Sequence, residues 1–97
     1  MNVICYRLEP IAEQREHPDW AASPFYEACW VTAYSEEDAR RLVMDATLTF
    51  VDRDENSEPL YSPWGNPALT TCEIDASPEH GVPPYGVVLT FSGKTYS

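Results

Sequence analysis

Nine of the 97 residues are proline, gathered into three stretches, Pro10 to Pro24, Pro59 to Pro67 and Pro78 to Pro84. Proline has no backbone N–H to give and its ring holds φ at roughly −65°, so it breaks helices and keeps to the margins of sheets. The three stretches therefore read as connections. The first is a long ordered loop with one short helix-compatible piece, Ile11 to Glu16. Its Trp20, Phe25 and Tyr26 are expected to pin it to the body, because aromatics of that size rarely stay solvated.

The segments between the connections carry the regular structure. Asn2 to Leu8 is a short β-favouring run, and Glu27 to Tyr34 is rich in aromatic and β-branched residues, the composition of a strand. Thr70, Cys72 and Ile74 alternate with Thr71, Glu73 and Asp75, and Val87, Leu89 and Phe91 alternate with Val88 and Thr90. Period-two alternation of this kind marks a strand with two different faces. Residues 92–97 read as a frayed polar tail.

The clearest local signal is Ser35-Glu36-Glu37-Asp38. Ser35 can accept a hydrogen bond from a following backbone N–H, Asp38 stands where a capping-box acid would, and three carboxylates complement the positive end of a helix dipole. Ala39, Leu42, Val43 and Ala46 then recur at i, i+3, i+4 and i+7, giving one apolar stripe, with Arg40, Arg41 and Asp45 expected to face water. Glu36–Arg40 and Glu37–Arg41 are i,i+4 pairs in the favourable order, each worth about 0.3 kcal/mol. Thr47 to Val51 could extend the helix or begin a strand. The stretch from Trp30 to Leu42, WVTAYSEEDARRL, looks like the strand-turn-helix of many small bacterial and phage proteins, a likeness that implies architecture and no activity.

The expected order is β-β-α-β-β: an α+β fold in which one helix packs on one face of a mostly antiparallel sheet of about four strands, with residues 1–97 as one two-layer domain. No run of 18 apolar residues is present to span a bilayer, and the first residues lack the basic and apolar regions of a secretory signal. Three cysteines, Cys5, Cys29 and Cys72, are an odd number without paired spacing, so free thiols in a reducing cytoplasm are expected.

Sixteen acidic residues against six basic ones give a net charge of −10. Nucleic acid and anionic membranes are bound through lysine and arginine, so both are disfavoured as direct ligands, and a protein with a basic surface is the favoured encounter. The competing reading is that the charge serves solubility alone. Asp52, Asp54 and Asn56 match the opening of a calcium loop, but Ser57 replaces its turn glycine and Pro63 its closing glutamate. His17 or His80 could pair with a cysteine, yet each cysteine sits in a strand rather than at a helix N-terminus that would lower its pKa. Phosphate-binding loops and hydrolase motifs are absent, and no cofactor is implied.

These observations lead to the expectation of a non-catalytic binding module or inhibitor acting through an acidic and aromatic surface. The candidate contact residues are Glu36, Glu37, Asp38, Asp52, Asp54, Glu55, Glu58, Tyr61 and Trp64, since tyrosine and tryptophan are frequent interface anchors. One form of it is a nucleic-acid mimic, of phage or bacterial origin, whose carboxylates stand in for phosphates. The alternatives are a small metal-dependent protein or enzyme using the 52–58 loop or a Cys/His pair, and a homodimer joined by an edge strand.

Overall fold

The computed structural model describes residues 2–47 and 62–96. Among these, five strands form one antiparallel sheet: β1 (Ile4–Pro10), β2 (Cys29–Ala33), β3 (Thr70–Ile74), β4 (Val88–Thr90) and β5 (Thr95–Tyr96), in the order β3-β1-β2-β4-β5. One helix, α1 (Glu36–Ala46), lies on one face. The α+β architecture and the four expected strands are present. Calcium-loop residues Asp52, Asp54 and Asn56, the other acids Glu55 and Glu58, Tyr61 and the ambiguous 48–51 stretch lie outside the described residues.

The register explains the layers. Tyr6 and Leu8 of β1 stand opposite Val31 and Cys29 of β2, and Val31 in turn faces Val88 of β4. All five side chains are buried with Ala39 and Val43 of α1, while Leu42 packs against them partly buried. The helix starts where its sequence signal stands: Ser35 Oγ accepts from the Asp38 N–H at 3.1 Å. It ends at Thr47, whose N–H and hydroxyl both reach the Val43 carbonyl, at 3.0 and 2.6 Å.

Four expectations are corrected. Residues 95 and 96 are no frayed tail: a turn with Gly93 at φ +89° brings Thr95–Tyr96 back beside β4, and the Tyr96 ring lies 5.2 Å from that of Phe25. Trp64 is no surface anchor. It is fully buried, its indole N–H donates to Ser23 Oγ at 3.0 Å, and Trp20 and Phe25 pack on its ring at 5.4 and 5.1 Å. An indole with its one donor satisfied gains more from burial than from waiting at a surface. The same contacts show how Trp20 and Phe25 hold the first proline-bearing loop.

Arg40 does not face water either. It is 9% exposed, and its guanidinium donates to the Trp64 carbonyl at 3.1 Å, Thr70 Oγ1 at 2.7 Å and the Thr70 carbonyl at 3.1 Å, with Glu36 Oε2 at 3.2 Å. Its planar fork satisfies three oxygens of two separate segments at once. The second arginine pair also differs: Arg41 bonds Asp38 and Asp45, at 2.6 and 3.3 Å, instead of Glu37.

Replacing Arg40 by Met leaves buried carbonyls without donors, a loss of about 2–4 kcal/mol. Glu36→Gln, which cuts only the half-exposed arm of the same network, is expected to cost less than about 1 kcal/mol. Thermal unfolding of the two variants checks the order; equal losses would contradict it.

Candidate functional site

The sheet register gathers exposed apolar side chains at one end. Ile4 stands opposite Ala33, so Val3 and Ile4 lie beside the exit of β2 toward Tyr34. Ile74 pairs with Tyr6 and so marks the same end of β3, while β4 enters opposite Val31 and brings the loop carrying Tyr85 alongside. Ile4 and Ile74 have the core-facing parity of Tyr6 and Leu8, yet α1 starts beside the exit of β2 and meets β3 through Arg40 at Thr70, so Ile74 at the opposite end of β3 stays uncovered. Ile74 is 62% exposed, Tyr34 49% and Tyr85 46%.

Asp38 organises this end. One of its carboxylate oxygens accepts the Tyr34 N–H at 3.1 Å and the Tyr85 hydroxyl at 3.2 Å, and the other takes Arg41 at 2.6 Å. The Tyr34 backbone and the Tyr85 hydroxyl thus share one carboxylate, and the two rings lie 5.3 Å apart at 52°. Of the expected contact residues, Glu36 and Glu37 are exposed in the first turn of α1 beside the pair. Asp38 is mostly engaged within the molecule, its side chain 15% exposed. The sequence reading missed Val3, Ile4, Tyr34 and Ile74. Alternation announced the strands, but nothing local announces where a helix stops shielding them.

The opposite face of the sheet carries a second polar cluster. Trp30 Nε1 donates to Asp75 at 2.9 Å, and the Arg7 guanidinium lies 3.3 Å from Glu9, 3.2 Å from Glu73 and 3.7 Å from Asp75. The segment after β3 folds over this face. Thr32 donates to the Pro83 carbonyl at 2.6 Å, His80 Nε2 donates to that of Phe91 at 2.9 Å, and the Trp30 ring meets both His80 and Phe91.

The cysteines are held as thiols. Burial pushes Cys29 well up and Cys72 up to about 11, and burial together with the Asp75 charge raises Cys5. His17 accepts from the Asp19 N–H at 3.1 Å and His80 is engaged with Phe91, so each ring has a partner other than a cysteine. Among the described residues no pocket opens, no three metal-ligating side chains converge, and no helix is long and apolar enough to cross a membrane.

Two predictions follow from these environments. Cys72 should react with a disulfide reagent at neutral pH roughly a hundredfold or more slowly than an ordinary cysteine, because so little thiolate is present; all three thiols should react promptly once the chain is unfolded. The Tyr34 N–H, with Arg41 and Tyr85, holds the Asp38 carboxyl below the usual carboxylate range. Its stabilisation is complete above the unfolded value, about 4, and is lost as pH falls through the lower folded value. The melting-temperature gap between wild type and Asp38→Asn should therefore be full at neutral pH and close in strong acid; a gap constant to about pH 2 would contradict the assignment. No protein-family model, curated protein or solved structure matches the chain.

Proposed function

We propose that the protein is a non-catalytic binding module that docks on a basic surface of another protein through the Tyr34–Tyr85 end of its sheet. The observation that carries this reading is a pair of tyrosine rings in contact and still about half exposed, with the Tyr85 hydroxyl and the Tyr34 backbone N–H both held by Asp38. Tyrosine has few rotatable bonds to immobilise on binding, and its ring face attracts lysine and arginine. Glu36 and Glu37 rim the pair, Ile4 and Ile74 extend it, and the net charge of −10 steers a cationic partner toward it. A groove that ordinarily receives nucleic-acid phosphates has the charge this surface complements. In the mimic form of the reading, Glu36 and Glu37 occupy phosphate positions.

The test is capture from an extract of the native host at low and high salt, repeated with Tyr34→Ala/Tyr85→Ala and with Glu36→Lys/Glu37→Lys. A specific basic partner should be retained at low salt and weakened at least tenfold by either double variant, with melting temperatures recorded to separate misfolding from lost contact. Recovery of no basic partner at any salt, or capture indifferent to both variants, would remove this reading. A melting temperature raised by calcium or zinc and lowered again by EDTA would favour a metal-dependent protein instead.

A further inference from the structure

We propose that β3 is a docking edge for an extended peptide segment of alternating basic and apolar residues, which adds to the sheet as a sixth strand. The proposal does not rest on the tyrosine pair, although Ile74 borders both surfaces.

The backbone supplies the first part of the argument. Among the described residues β3 is the outermost strand, bonded on one side to β1. Asp75 donates to the Cys5 carbonyl and Leu69 accepts from the Ile11 N–H, both at 2.9 Å, which marks the odd-numbered residues of this segment as those bonded to β1. Antiparallel ladders alternate, so the N–H and C=O groups of Thr70, Cys72 and Ile74 point outward. Thr70 is already engaged, its N–H on the Asn66 carbonyl and its C=O on Arg40, each at 3.1 Å. The open stretch therefore runs over Cys72 and Ile74.

Edge strands are usually blunted by lysine, proline, a bulge or shortness. β5, the other edge, is two residues long and follows Lys94. β3 reads Thr-Thr-Cys-Glu-Ile and keeps an unbroken register with β1 from Ile74 to Thr70, so neither a proline, a lysine nor a bulge protects it.

The side chains specify the occupant. On the helix face an added strand would meet Cys72 and the largely exposed Ile74, which suit apolar residues. On the other face it would meet Glu73, whose side chain is 67% exposed, backed by Glu9 and Asp75, with Arg7 alone among the described residues to offset three carboxylates. Successive residues of a strand alternate faces, so the matching segment alternates cation and apolar side chain. A second copy of this chain, also at −10, brings the wrong sign of charge to that face.

The test titrates ¹⁵N-labelled protein with the synthetic hexapeptide Lys-Val-Lys-Val-Lys-Val and, in parallel, Glu-Val-Glu-Val-Glu-Val, following amide hydrogen exchange. In the free protein the Cys72 and Ile74 amides should exchange faster than those of Thr71 and Glu73. Saturation with the lysine peptide should slow them at least tenfold, and the glutamate peptide should leave them unchanged. Ile74→Pro removes one outward N–H without touching the β1 ladder and should weaken binding tenfold or more; Glu73→Lys, which leaves the backbone alone, should do the same. Tyr34→Ala/Tyr85→Ala should bind the peptide as wild type does, which separates this edge from the tyrosine surface. Slow exchange of Cys72 and Ile74 in the free protein, equal binding of the two peptides, or no binding at about 1 mM would overturn the proposal. Protection that grows with protein concentration alone, together with a dimer mass, would assign the edge to a second copy and overturn it equally.

Discussion

Arg40 is the interaction on which the rest of the structure depends. One guanidinium joins α1 to two segments 24 and 30 residues further on: the turn at Pro63–Gly65 through the Trp64 carbonyl, and β3 through Thr70. Burying a charge is costly unless its hydrogen bonds are met, and here neutral carbonyls and a hydroxyl meet most of them while the Glu36 carboxylate stays half in water. The helix is thereby fixed over the sheet by a directional contact as well as by the non-directional packing of Ala39 and Val43. The same contact occupies the Thr70 carbonyl and so decides where the outer edge of the sheet begins to be available.

Neither face of the sheet is simply a solvent face. On the helix side the apolar set runs from Tyr6 through Val31 to Val88, extended by the Trp64, Trp20 and Phe25 rings. On the other side Trp30 is 4% exposed, covered by the segment that carries His80 and Pro83 and tied to Asp75. The proline-bearing connections thus act as covering layers. Prolines without a donor to satisfy can lie against a sheet without leaving an unpaired N–H behind. Among the described residues, the corner holding Ile4, Ile74, Tyr34 and Tyr85 escapes both coverings.

Local order was legible in the sequence where it is set locally. Ser35 caps α1, carboxylates fill its first turn, β1 and β2 follow their β-favouring composition and β3 and β4 their period-two alternation, because all of these depend on residues close in sequence. Arg40 was misread because periodicity places it beside the apolar stripe and cannot know that Trp64 and Thr70 wait there with carbonyls. Trp64 was misread for the matching reason: its partner, Ser23, is 41 residues away. The short β5 was hidden by its polar composition, and its pairing depends on a turn at Gly93 and a ring contact with Phe25. The exposed corner depends on the reach of a helix across a sheet, a property of the assembled fold and of no single segment.

The position of β1 has a consequence for how the chain reaches this arrangement. β1 precedes the other described strands yet is an inner strand of the sheet, and one of its two partners, β3, is drawn from about three-quarters of the way along the sequence, with Arg7 meeting Glu73 across 66 residues. During synthesis β1 and β2 can pair and receive α1, but one flank of the nascent hairpin stays uncovered until β3 emerges. Closing so long a loop is entropically slow, so folding to completion should be governed by that late, non-local capture, leaving the early intermediate with an adhesive margin that the finished protein shifts outward by one strand.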